Sequence, residues 1–320
     1  MTEMTSLALG VEIPDDQLAR SVPTGFDRLP ELLDDAGVGY VVLGGDRGTG
    51  ATASLSPTLV GTFFARRTRG LGVVVSAAPQ RDHPFNIARR TSALDHISGG
   101  RAGWLALRSD SALALGAAPH GTWAPSTTPT GPALLADAIT AARALWRTWP
   151  IESLAADLQL GARPPEAEVR YADHEGVFAT TGPLNAPTTP QGEPIVLWDY
   201  RFGDATHLAG ADIAFVAAHE DLAAAAELPD QVDLHLRLDG ADPHLPDRIA
   251  ELAAAHTASG VLIRLDTAAV ADFVEHTLPT LTDSVRLRDP DTTLTLRDHL
   301  GIARRPDPDP LRLRPVYVPA

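Results

Sequence analysis

Eight short strand-like runs, most of them apolar, recur along the chain, and a helical stretch fills the gap after each. The runs fall at 7–11, 39–43, 71–77, 102–107, 194–198, 213–216, 232–238 and 261–265. Several are nearly continuous rather than alternating, as parallel strands covered on both faces must be. Helical patterning occupies 25–36, 55–68, 84–97, 131–149, 204–209, 221–228, 243–259 and 267–283. Eight strand–helix units in strict alternation predict an α/β protein of (β/α)8 TIM-barrel type. An open doubly wound sheet is the rival, because closure leaves no mark in a sequence; the count of eight favours the barrel. With 320 residues, 44% of them hydrophobic, the chain has core enough to be read as one domain over 1–320.

Three stretches break the rhythm. Residues 109–130 and 150–193 are Pro-rich and read as long loops, and 302–320 as an extended tail. The net charge of −15 repels phosphate backbones, so nucleic acid is not an expected partner. Without cysteine there is no disulfide, thiolate metal site or Cys nucleophile. No run of about 18 apolar residues stands in the chain, and residues 1–10 carry neither a basic head nor a cleavage site, which predicts no membrane partner and a cytoplasmic protein. The abundance of Ala suits a bacterial source.

In a barrel the reactive groups stand on the loops after the strands. Loop two, Gly44-Gly-Asp-Arg-Gly-Thr-Gly50, is glycine-rich but matches neither nucleotide-binding spacing. His83, His219, Glu220, Asp199 and Asp266 are scattered, with no His-x-His and no H-E-x-x-H helix, so no metal site is expected. There is no G-x-S-x-G elbow, and Ser54, Ser56 and Ser98 read as caps. His96 and Arg101 read as structural, Arg101 by capping a helix C-terminus. His83 either caps the helix that follows it or faces the mouth. Loop five, Trp198-Asp-Tyr-Arg-Phe-Gly203, precedes a helical start and could hold a phosphate through Arg201, or be an exposed aromatic turn.

Four blocks carry a likeness to a known family. They are Leu55-Ser-Pro-Thr-Leu-Val60 running on to Leu71-Gly-Val-Val-Val-Ser76, and the helix-to-strand return over 82–104. The third is Asp173-His-Glu-Gly-Val-Phe178 with Gly182-Pro-Leu-Asn-Ala-Pro187 and Pro190-Gln-Gly-Glu-Pro194. The last is Asp272-Phe-Val-Glu-His-Thr-Leu-Pro279 with Thr295-Leu-Arg-Asp-His-Leu-Gly301. In order and spacing the chain resembles the bacterial-luciferase-like flavin-dependent monooxygenases, in the branch of the nitrilotriacetate, alkane and dibenzothiophene-sulfone enzymes, as a short and divergent member.

The resemblance implies a TIM barrel that uses reduced FMN from a flavin reductase and O2, through a peroxyflavin, on a small organic substrate. It also implies a homodimer. Carried over by position, Asp46 matches the acidic residue ending strand two, and Ser76 a Thr that lines the flavin after strand three. Tyr200, Arg201 and Phe202 stand where the family binds the FMN phosphate. The catalytic residues are not assigned.

The chain departs from the family at the cofactor mouth. The family's small phosphate turn, close to Ala-Gly-Ser-Ser, is here Asp199-Tyr-Arg-Phe202. Ala78 replaces a hydroxyl residue, Leu105 an Asn, and Gly131-Pro132 an Arg-Tyr pair. The loops after strands 2, 4 and 7 are shortened. Two readings therefore stand: an FMN-dependent monooxygenase with a reworked phosphate site, or a degenerate barrel without flavin that serves as a non-catalytic binding or assembly partner. The deazaflavin F420 in place of FMN is a further alternative.

Overall fold

The computed structural model describes residues 6–48, 54–111, 131–156, 168–217, 227–255, 258–306 and 313–317. Eight parallel strands close on themselves in sequence order: β1 Ala8–Ile13, β2 Tyr40–Leu43, β3 Gly72–Ala77, β4 Ala102–Ala106, β5 Ile195–Asp199, β6 Ile213–Ala217, β7 Asp233–Asp239 and β8 Gly260–Arg264. Closure is made by β8 against β1, with Gly10 opposite Leu262. The strands sit within two residues of the apolar runs, because a strand buried on both faces has no polar alternation to blur its ends. The open-sheet rival is excluded.

Helices α1 Asp15–Ser21, α2 Leu29–Asp35, α3 Pro57–Arg67, α4 Pro84–Ser98 and α5 Pro132–Trp146 cover the outer wall of the first half. Helix Leu245–Ala255 and the run from Val270 to Ser284, with a π turn at Phe273–Thr277, cover the second. The helix expected at 204–209 is a 3-10 helix, Ala205–Gly210, and most of the one expected at 221–228 lies outside the described residues. Several short helices lack a counterpart in the sequence pattern. Helix α1 follows β1 directly, and a short helix, Glu152–Ala156, interrupts a stretch that reads as loop. No described helix is long and apolar enough to cross a membrane.

Helix α4 shows how the local sequence sets its element. His83 caps the start, its Nδ1 accepting from the Phe85 N–H at 3.1 Å, and Pro84 supplies a preset φ. Gly99 ends the helix at φ 70°, a conformation that costs other residues most. Arg101 then donates to the Ser98 carbonyl at 2.8 Å and to the Thr68 and Ala65 carbonyls at 3.0 and 3.2 Å. One guanidinium thus caps the C-terminal ends of both α4 and α3.

The lower, N-terminal end of the barrel is sealed by charge. Asp212, just ahead of β6, is 2% exposed and accepts from the Val196 N–H at 2.8 Å and from Arg143 Nη2 at 2.8 Å. Arg297 and Arg305 approach the same carboxylate at 3.4 and 3.5 Å. Burial alone would raise the Asp212 pKa; Arg143, Arg297 and Arg305, with the Val196 N–H, bring it below the ordinary value. Glu193 completes the cluster through Arg143 and Arg147. Beside it, Gln191 donates to Asp95 and to the Ala102 carbonyl at 2.5 and 2.8 Å, and accepts from the Arg297 N–H at 3.1 Å.

The lumen is packed rather than hollow. Leu296 and Leu300 rise into it from below, and Gly72 admits Leu296, since a Cβ there would stand 2.5 Å from its Cδ1. Higher up, the Tyr40 hydroxyl and His235 Nδ1 share a hydrogen bond of 2.7 Å, with both side chains buried. Gly10 and Gly260 make room for these two rings. Burial, with the nearby Arg288 charge, holds the His235 pKa down to about 3.

Two outcomes are expected. Asp212→Ala leaves three guanidinium groups without their shared counter-charge, and should cost about 3–5 kcal/mol in urea unfolding. The unfolded chain protonates His235 near pH 6.5, while the folded chain resists until about pH 3. Stability should therefore fall as pH drops below 6.5. His235→Gln keeps an acceptor for Tyr40 without a titrating ring. It should flatten that decline by up to about 1.4 kcal/mol per pH unit between pH 6 and 4, read from unfolding free energies.

Candidate functional site at the barrel rim

The C-terminal ends of the strands meet at one rim, and its floor is set by three charges. Glu12 is the one charge on the otherwise apolar β1, and Arg237 lies on the polar face of β7, which alternates as Asp-Leu-His-Leu-Arg-Leu-Asp. Arg237 Nε lies 3.1 Å from Glu12 Oε2, and Nη1 lies 2.8 Å from Asp199 Oδ1. Gly45 makes room for the Glu12 carboxylate, which any side chain there would strike. The Arg237 guanidinium lies 5.6 Å from the Phe215 ring centroid. Burial would lower its pKa, but Glu12 and Asp199 more than offset this and raise it. The group remains a cation under the mouth.

Arg47 pins the rim loops together. Its Nη1 donates to Asp15 Oδ2 at 2.9 Å and to the Leu55 carbonyl at 3.0 Å, and its Nη2 to Asp110 Oδ2 at 3.1 Å. Arg81 reaches the same Asp110 oxygen at 3.2 Å. The segments after β1, β2, β3 and β4 therefore share one buried ionic knot.

Beside the knot a cavity of about 390 Å³ opens between the first turn of α3 and the β3–α4 turn, within the usual size of a ligand pocket. Ser56, Thr58, Ser76, Ala78, Arg81 and Arg90 are among its walls. Ser76 is 4% exposed, and its Oγ meets no hydrogen-bond partner among the described residues. A buried hydroxyl left in this way costs about 1–3 kcal/mol, a cost that a ligand atom would remove. Gly44, at φ 77°, keeps clear of it, since a Cβ there would stand 2.6 Å from Ser76 Oγ.

The turn after β5 forms another part of the rim. Tyr200 is buried, its hydroxyl 3.5 Å from Glu227 Oε2, and burial followed by the Glu227 charge raises its pKa. Arg201 is exposed and Phe202 is 84% exposed. Asp204 is 3% exposed, and its Oδ2 accepts from the Arg201 N–H at 2.9 Å, from Trp198 Nε1–H at 3.0 Å and from the Arg108 guanidinium.

Of the residues singled out in the sequence, Ser76 lies in the rim cavity and Tyr200, Arg201 and Phe202 in the β5 turn. The Asp46 backbone belongs to the turn Gly45–Gly48, and its side chain lies outside the described residues. His83 is the α4 cap, set edge-on to Phe178 at 5.7 Å, and burial lowers its pKa. Asp266 is exposed, and His219 and Glu220 lie outside the described residues. No group of three metal-ligating side chains occurs among the described residues. Sequence reasoning missed Glu12, Arg237, Arg47 and Asp204. For Glu12 a signal existed, a charge within an apolar strand, and for Arg237 another, the polar alternation of β7.

The luciferase-like monooxygenase family model matches residues 7–276 of the chain. Dibenzothiophene-sulfone monooxygenase of Rhodococcus erythropolis is 33% identical over 175 residues, covering 51% of this chain but only 34% of that protein. The chain thus spans about a third of the length of that relative. One of the subunits of pristinamycin IIA synthase from Streptomyces pristinaespiralis is 27% identical over 278 residues, covering 87% of this chain and 88% of that one. Among solved structures, riboflavin lyase with modified FMN and substrate riboflavin matches with a TM-score of 0.75 at 18% identity, over 92% of this chain and 96% of that one, a likeness of fold.

Proposed function

The chain belongs to the luciferase-like monooxygenase family, and from that footing we propose that it is a flavin-dependent monooxygenase acting on a small organic substrate. The observation that carries the reading is the buried Ser76 Oγ in the rim cavity, unpartnered among the described residues, where a ligand acceptor or donor would satisfy it. Reduced FMN, delivered by a separate flavin reductase, would supply the electrons that let one atom of O2 enter the substrate while the other leaves as water.

The residues present suit a flavin ring better than its phosphate. Ser76 offers the ring a hydroxyl, with Asp46 proposed beside it. Tyr200, Arg201 and Phe202 would flank the tail, but Asp204 already holds the backbone donor of that turn. The remaining work is positioning. Arg47 fixes the loops that frame the cavity, and the Glu12–Arg237–Asp199 group ties β1, β5 and β7 together at the rim. A homodimer in the cytoplasm is part of the same proposal.

One observation favours a second reading, a barrel without flavin that works as one component of a larger assembly. The Asp204 carboxylate stands where a phosphate would need open donors, and the relative matched over most of its length is named as part of a multi-subunit synthase. Titration separates the two. Purified protein should quench FMN fluorescence, and Ser76→Val should weaken binding by about tenfold, the worth of one buried hydrogen bond. Quenching absent from the wild-type chain with both oxidised and reduced FMN would move the chain to the second reading.

A further inference from the structure

The turn after β5 has the makings of an anion site, and the chain has filled it itself. Gly203, at φ 90° with nothing within 4 Å of a built Cβ, lets the backbone double back after Phe202. The Asp204 N–H returns to the Arg201 carbonyl at 3.0 Å, which carries the Asp204 carboxylate to the inside of the bend. Three donors of different origin then converge on one oxygen: the Arg201 backbone N–H, the Trp198 indole N–H and the Arg108 guanidinium. The Arg108 guanidinium also lies over the Trp198 ring, 5.9 Å from its centroid, so its direction is held from two sides. A backbone amide, an indole and a guanidinium gathered around one point are the donors an oxyanion needs.

A second anion cannot share this point. The resident carboxylate is tethered, so its local concentration exceeds that of any free ligand, and a phosphate beside it would meet its charge with the three donors aimed at that point already spent. We infer that Asp204 is a built-in substitute for a ligand phosphate, so that the rim selects its flavin by the ring and takes riboflavin and FMN alike. The inference rests on the flavin reading above and adds that Asp204 determines selectivity at the tail. The exposed Arg201 side chain and Phe202 ring remain as a generic flank that does not tell a phosphate from a hydroxyl.

The experiment pairs flavin titrations with thermal melts in inorganic phosphate, on wild-type protein, Asp204→Ala and Asp204→Asn. In the wild-type chain the affinities for riboflavin and FMN should agree within about threefold, and phosphate should leave melting unchanged. Asp204→Ala empties the donor cluster. Its preference for FMN over riboflavin should rise about tenfold or more, and phosphate should raise its melting temperature by about 3 °C or more. Asp204→Asn keeps the side-chain shape without the charge, and guards against an Ala variant that fails to fold. Its FMN preference should rise by about threefold or more.

A wild-type preference for FMN above about thirtyfold overturns the inference. So does a pair of variants whose phosphate response and flavin preference match the wild type. If no flavin binds any of the three proteins while phosphate still stabilises Asp204→Ala, the monooxygenase reading falls and the resident-anion assignment of Asp204 stands.

Discussion

Pairing of β8 with β1 closes the barrel, and at its lower end one buried carboxylate ties the surrounding elements to it. Asp212 joins β5 through the Val196 N–H, α5 through Arg143, the short helix Leu296–Leu300 through Arg297 and the following tail through Arg305. None of these partners is near it in sequence except Val196. Such a cluster is stabilising only while every member is satisfied, since removing one charge strands the others in a low-dielectric interior. The Asp95–Gln191–Arg297 chain extends the same seal to α4 and β4. Strand register above this level follows from the closed pairing, and with it the position of every rim residue.

That seal explains how much of the molecule was legible. The strands could be read because most are apolar runs bounded by turn residues and β7 alternates with period two, and α4 because His83, Pro84, Gly99 and Gly100 mark its ends. Helix α1 was missed because it begins two residues after β1, with no gap to announce it. The blocks that resemble the luciferase-like family hold Asp95, Gln191, Glu193 and Arg297, all of which belong to the lower end. They report the fold strongly and the chemistry weakly, because in a barrel the lower end serves stability and the upper end carries reaction.

The rim was harder to read, for a physical reason. Arg47 meets Asp110 across 63 positions, and Arg237 meets Asp199 across 38. Pairings at such separations leave no local pattern. Ser76 was reached by its place at the start of the loop after strand three, and its role only by position relative to the family. Asp204 looked like the start of a helix, and is one in part. Its carboxylate is spent inward on the turn preceding it, an arrangement set by Gly203, whose positive φ no sequence pattern specifies. Among the described residues the rim is held by ion pairs and hydrogen bonds between segments far apart in sequence.

The lower end is thus a fixed seal, and the upper rim is proposed as a flavin-ring site centred on Ser76. That central claim is tested most directly by a crystal structure of the chain soaked in riboflavin. The expected result is density for the ring in the rim cavity within hydrogen-bond reach of Ser76 Oγ, with the Asp204 carboxylate still bound to the Arg201 N–H. A cavity free of flavin at saturating riboflavin, or a ring bound away from Ser76, would contradict it.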